Sequence, residues 1–314
     1  MKKIISIFIC AVLCMAVMCS CRNNSGTNHE GLKIVCTAFP QYDYVKNILG
    51  TSDGVTLLLD DGADLHSYEP TATDIIEIAS ADLFIYIGGI SDSWVEKTLK
   101  SANSENLKAV ALMDMVQTYD VDYVAGMEKE HDHNHESEHE KDEHIWLSLR
   151  NSAEITRILC DMICEIDSAN SEKYKANAKK YIDSLNELDG EYKAVIESSK
   201  RNVLLFADRF PFRYLTEDYS LEYHAAFSGC SSESEASFQT MAFLIDKTKE
   251  LSLPAVIITE GSDGSIAEMI CTETGAKTLA LNSCQSVSSA DIENGTSYIG
   301  IMKNNLEILR EALN

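Results

Sequence analysis

Basic residues are scarce in this chain. Only 26 Lys and Arg stand against 50 Asp and Glu over 314 residues, a formal net charge of −24. Phosphate backbones call for a basic face, so nucleic acid is excluded as a partner, and the surface attracts cations instead. Long apolar runs are missing after Met18, which excludes a polytopic membrane protein. No CxxC pair occurs among Cys36, Cys160, Cys164, Cys230, Cys271 and Cys284, so these read as small apolar residues rather than a disulfide scaffold. GxxxxGK[ST] and a strand-borne GxGxxG are also absent, and with them two common signatures of nucleotide-binding enzymes. What remains is a globular composition, 45% hydrophobic and 24% charged. The length suits about two domains.

The N-terminus reads as a targeting segment. Lys2 and Lys3 precede an apolar run from Ile4 to Met18, too short for an ordinary spanning helix. Met18-Cys19-Ser20-Cys21 then gives way to polar residues, which resembles a bacterial lipoprotein signal with Cys21 as the lipidated residue; Met18 stands where Leu is usual. The expectation is a signal over residues 1–21 and an extracytoplasmic chain tethered to the cell membrane by a lipid anchor.

Short apolar runs at Lys33–Thr37, Val55–Leu59, Leu83–Ile87 and Lys108–Leu112 have the length of buried strands, with helical stretches between them. A long helix is predicted from about Ser171 to Ser199, its apolar seam running through Tyr174, Ala178, Tyr181, Leu185, Leu188, Tyr192 and Val195. The alternation then resumes with Asn202–Ala207, Glu222–Phe227, Ala255–Thr259 and Lys277–Leu281. The predicted fold is α/β: two lobes of four βα units each, with parallel sheets, bridged by a long rigid helix. The expected division is an N-terminal lobe over 22–168, a linking helix over 169–200 and a C-terminal lobe over 201–314.

Histidine is concentrated in one place. Glu128–Glu143 holds His131, His133, His135 and His139 among eight acidic residues and two Lys. His-rich tracts chelate borderline metals through neutral imidazole, so this loop reads as a cation collector. Two further histidines sit in distinctive contexts: His66 in His66-Ser67-Tyr68-Glu69-Pro70, past the second strand, and His144 in His144-Ile145-Trp146-Leu147.

At these two motifs the chain resembles the zinc/manganese solute-binding proteins of ABC transporters, the cluster A-I or cluster 9 type that includes adhesin-like lipoproteins. The resemblance extends over nearly all of the chain after the signal. It implies that His66 and His144 are metal ligands, that the cargo is Zn²⁺ or Mn²⁺ with the His-rich loop favouring zinc, and that the partners are a permease and its ATPase. It also implies a monomer. The C-terminal half departs from the family pattern, because Ala207 and Asn282 stand where ligands are usual. Carboxylates at strand ends offer replacements, Asp208 and Glu260, with Cys230 as a further candidate. Two other readings are a surface adhesion or metal-buffering lipoprotein, and a metallo-enzyme with Glu69 or Glu260 as its base.

Overall fold

The structure, a computed structural model, describes residues 31–59, 65–102, 104, 106–128, 140–229, 231, 235–285 and 287–314. Cys21, Cys230 and the loop histidines His131, His133, His135 and His139 lie outside the described residues.

Among the described residues, eight strands form two sheets. β1 (Ile34–Cys36), β2 (Val55–Leu57), β3 (Leu83–Tyr86) and β4 (Lys108–Ala111) pair in the order β2-β1-β3-β4, and every pairing is parallel. β5 (Val203–Phe210), β6 (Glu222–Ser228), β7 (Ala255–Thr259) and β8 (Lys277–Leu281) repeat the arrangement as β6-β5-β7-β8, again parallel. Parallel strands need crossovers, and the helices supply them. In the first sheet these are α1 (Phe39–Leu49), α2 (Ala72–Ser80) and α3 (Val95–Ala102). α4 (Leu149–Ile166) and α5 (Ser171–Ser198) then lead into the second sheet. Its helices are α6 (Arg213–Tyr219), α7 (Phe238–Glu250), α8 (Ser265–Thr274), α9 (Ser289–Glu293) and α10 (Tyr298–Ala312).

Each sheet builds its own core. Val35 and Phe84 pack with Ile78 and Val95 of α2 and α3. Leu205, Ala226, Phe227 and Val256 pack with Leu244, Ile266 and Ile270 of α7 and α8. Fully burying such side chains is worth roughly 1.5–3 kcal/mol apiece.

The predicted seam of α5 is buried along its length, from Tyr174 to Val195. Three of its residues join the halves of the molecule. Asn177 donates to the Ile48 carbonyl of α1, Tyr181 donates to Asp43 of α1, and Tyr192 donates to the Met302 carbonyl of α10. Tyr44, Ser152 and Tyr298 form a second buried chain of hydroxyls across α1, α4 and α10.

In each sheet the chain order reverses beside the first strand, between β1 and β3 and between β5 and β7. The loops leaving adjacent strands at such a point diverge and open a crevice at the carboxyl ends. The residues after β3 and β7 are Ile87–Ser91 and Glu260.

Candidate metal centre

His66 and His144 come together although they are far apart in the chain. Their ring centroids are 5.5 Å apart, with the planes inclined at 60°. His66 lies in a single 3₁₀ turn, Leu65–Ser67. His144 is fully buried at the start of a second such turn, Ile145–Leu147, which Ser148 joins to α4. Ser148 caps that helix by accepting from the Asn151 amide.

Each ring is held by a group of its own. Nδ1 of His66 is 2.8 Å from Ser91 Oγ in the turn after β3. Nδ1 of His144 is 3.0 Å from Asp142 Oδ1, which also accepts the His144 amide. With Asp142 as the acceptor Nδ1 is the donor, and the neutral ring then carries its lone pair on Nε2. This is the carboxylate–imidazole pairing that orients a metal-binding histidine. Nε2 of His144 is buried with no hydrogen-bond partner among the described residues.

Carboxylates surround the two rings. Glu143 is buried; its Oε1 accepts the Ser91 amide at 2.8 Å and its Oε2 is 4.0 Å from His66 Nδ1. Asp92 is buried as well, and its Oδ2 accepts the amides of Ile87 and Gly88. Burial pushes Asp92 up to about 6, against the pull of those two amides, and the charge on Glu143 raises it further. Gly89 makes room for Glu143. Its φ of 104° suits glycine, and a Cβ there would come within 2.5 Å of Glu143 Oε1.

Asp142 and Glu143 close the stretch over 128–143 that the sequence reads as a cation-collecting loop. The described end of that segment is folded in: the Val121 amide donates to the Glu140 carbonyl and the Asp142 amide to the Tyr119 carbonyl. Glu140 and Asp142 are thus part of the fold.

The second sheet reaches the same place. Gly229, just past β6, packs on the His144 ring, so that an added Cβ would lie 3.0 Å from His144 Cε1. Tyr214 donates to the Asp142 carbonyl. Trp146 donates from Nε1 to the Ser283 carbonyl. The Ser283 amide and hydroxyl both donate to Glu260. Burial raises the Glu260 carboxyl above the usual range, while its hydrogen bonds with Ser283 pull the other way.

Asp208, expected just past the end of a strand, lies inside β5. The register between β5 and β6 shifts from Phe206↔Ala225 to Arg209↔Phe227, so β5 carries one extra residue there. That bulge aims Asp208 Oδ2 at Thr259 of β7, whose amide and hydroxyl donate to it at 3.1 and 2.8 Å. Ala207 is buried in the core behind the sheet. Asn282 caps its own turn, with Oδ1 accepting the Cys284 amide. Cys36, Cys160, Cys164, Cys271 and Cys284 are free thiols.

Among the described residues no three His, Cys, Asp or Glu side chains form a ready-made metal cage. Two imidazoles and their carboxylate neighbours form a partial set, with donors suited to a borderline dication.

Comparisons with known proteins agree with this chemistry. The family model for the zinc-uptake complex component A, periplasmic, matches residues 34–312. The zinc-binding lipoprotein AdcA of Streptococcus pneumoniae strain R6 is 30% identical over 99% of this chain and 61% of its own length. The high-affinity zinc uptake system protein ZnuA of Bacillus subtilis is 29% identical over 99% of this chain and 98% of its own. The crystal structure of the Zn(II)-bound ZnuA-like domain of Streptococcus pneumoniae AdcA is similar with a TM-score of 0.72 at 27% identity, covering 90% of this chain and 98% of that domain. This chain therefore spans less than two thirds of the length of AdcA and nearly all of ZnuA.

Proposed function

The chain belongs to the zinc-uptake complex component A family, and from that premise we propose that it is the extracytoplasmic zinc-capturing component of an ABC transporter. The observation that carries this reading is the pairing of His66 with His144, two oriented imidazoles 5.5 Å apart where the two sheets meet. His144 is held by Asp142 in the tautomer that offers Nε2 to a cation. Imidazole favours zinc over manganese, for which a site of oxygen donors would be the better fit.

Capture and release need a site that both halves complete. Gly229, Tyr214 and Ser283 bring the second sheet onto the His144 segment, so a small movement of one lobe alters the ligand set. The α5 seam and the Asp43–Tyr181 bond favour small movements over a wide hinge. Glu260 is the second-lobe candidate that hydrogen bonds connect to the His144 turn, through Ser283 and Trp146. The loop histidines would raise the local zinc concentration before transfer to the cleft. The partners would be a membrane permease and its ATPase, with Cys21 as the lipid anchor; lipoprotein is the description that AdcA itself carries. Binding without catalysis is the reading that family membership favours.

The test is a competition titration of the full chain with zinc and manganese against a chelator of known affinity. One tight zinc equivalent, lost in both His66→Ala and His144→Ala, is the expected result. Unchanged tight binding in both variants would overturn the assignment of the cleft.

A further inference from the structure

We propose that Glu143 is itself a metal ligand, adding a carboxylate oxygen to the imidazoles of His66 and His144. The proposal rests on the cleft reading above and specifies its donor set from this chain's own geometry.

Glu143 is a charged side chain in a place where charge is costly. It is only 2% exposed. One oxygen is satisfied by the Ser91 amide, and the other, Oε2, is buried with no hydrogen-bond partner among the described residues. No Lys or Arg among the described residues pairs with it. A buried carboxylate left in this state carries a penalty of several kcal/mol unless a cation compensates it. The His66 ring stands 4.0 Å from it, which is beyond hydrogen-bond reach.

An orienting role does not account for Glu143. Ser91 already holds Nδ1 of His66, and Asp142 already holds Nδ1 of His144. The backbone is nevertheless built to admit the carboxylate: Gly89 takes a left-handed conformation, and any larger residue would strike it. The sequence also puts Glu143 directly before His144. Two neutral imidazoles and one carboxylate match the mixed N and O donors that zinc accepts. They also leave a position for a donor from the second lobe. Because the three groups are not already a closed cage, metal binding must draw them inward, consistent with a site that releases its cargo.

Glu143→Gln is the variant to use. It keeps the shape and an acceptor for the Ser91 amide but removes the ligating charge. Zinc affinity of the full chain, measured by chelator competition, should fall by more than about 100-fold, since the loss of a mere outer partner costs about 10- to 100-fold. The visible spectrum of the Co²⁺-loaded chain should change in band position and intensity. Unfolding without metal should show Glu143→Gln at least as stable as the parent chain, because a buried charge has gone. If His66→Ala and His144→Ala abolish the tight site while Glu143→Gln keeps its affinity or its Co²⁺ spectrum, ligation by Glu143 is wrong and the cleft stands. If the histidine variants keep the tight site, both readings fall. X-ray absorption on the wild-type zinc complex needs no variant: two imidazoles with an oxygen neighbour are expected, and imidazoles without oxygen would overturn the proposal.

Discussion

The indole of Trp146 donates to the carbonyl of Ser283 at 2.8 Å, tying the turn that begins at His144 to the loop that holds Glu260. Trp146 is only 1% exposed, so this bond is made in a dry environment where an orphaned carbonyl is expensive. Trp146→Phe would keep an aromatic ring but leave the Ser283 carbonyl unpaired and a void behind it. The metal-free chain should lose about 2–4 kcal/mol. Denaturant unfolding measures this, and a loss below about 1 kcal/mol would mean that the two lobes are not coupled through this residue.

Gly229 sets how closely the second lobe approaches the metal centre. A Cβ at this position would come 2.8 Å from the Phe210 carbonyl oxygen, 3.0 Å from His144 Cε1 and 3.2 Å from Pro211 Cα. Two of those neighbours are backbone and the third is a ring held by Asp142, so none yields cheaply. Gly229→Ala should destabilise the fold by about 1–3 kcal/mol and displace His144. Zinc affinity should drop at least about tenfold in a chain that remains folded by circular dichroism. Unaltered affinity would show that the contact with the His144 ring does not govern the site.

Much of this was legible before the structure. Seven seam residues at helical spacing announced α5, and Gly190 does not break it because the seam packs on both sides of that position. The strands were visible as short apolar runs between helical stretches. His66 and His144 were legible from the residues around them. Glu143 and Asp142 were not, because they close a run of acidic residues that all look alike; only the pairing of Val121 with Glu140 and Tyr119 with Asp142 separates them from the loop. The role of Asp208 was hidden for another reason. A one-residue bulge in β5 redirects it, and no periodicity in the sequence reveals an inserted residue.

Asp92 gives the metal-free protein a pH signature. Its carboxyl is pushed from an ordinary 3.8 up to about 6, chiefly by burial. For an acid raised on folding, the penalty is absent below the unfolded pKa and complete above the folded one. Between about pH 4 and 6 the folded chain keeps a proton that the unfolded chain has lost, so this group makes stability fall as pH rises. Asp92→Asn should remove that component and leave the metal-free chain more stable at pH 7 by about 1–3 kcal/mol. Denaturant midpoints for both chains from pH 4 to 7 check this; parallel curves would show that Asp92 does not titrate in this window.

Asp208 tests how the second lobe has been rebuilt. Its Oδ2 takes both the amide and the hydroxyl of Thr259, and its Oδ1 takes the amide of Arg209. Both oxygens are therefore occupied, Oδ2 in tying β5 to β7 and Oδ1 on the amide of its own neighbour in β5, whereas Glu260, at the end of β7, is held by the amide and hydroxyl of Ser283 in a loop. Asp208→Ala would strand the Thr259 amide and cost about 1–3 kcal/mol of stability. If the strand tie is its whole role, zinc affinity measured by chelator competition should stay within about threefold of wild type, under 1 kcal/mol. Glu260→Gln should weaken binding more than Asp208→Ala does. The reverse order would make Asp208 the second lobe's donor, and would mean that zinc pulls it away from Thr259 when it binds.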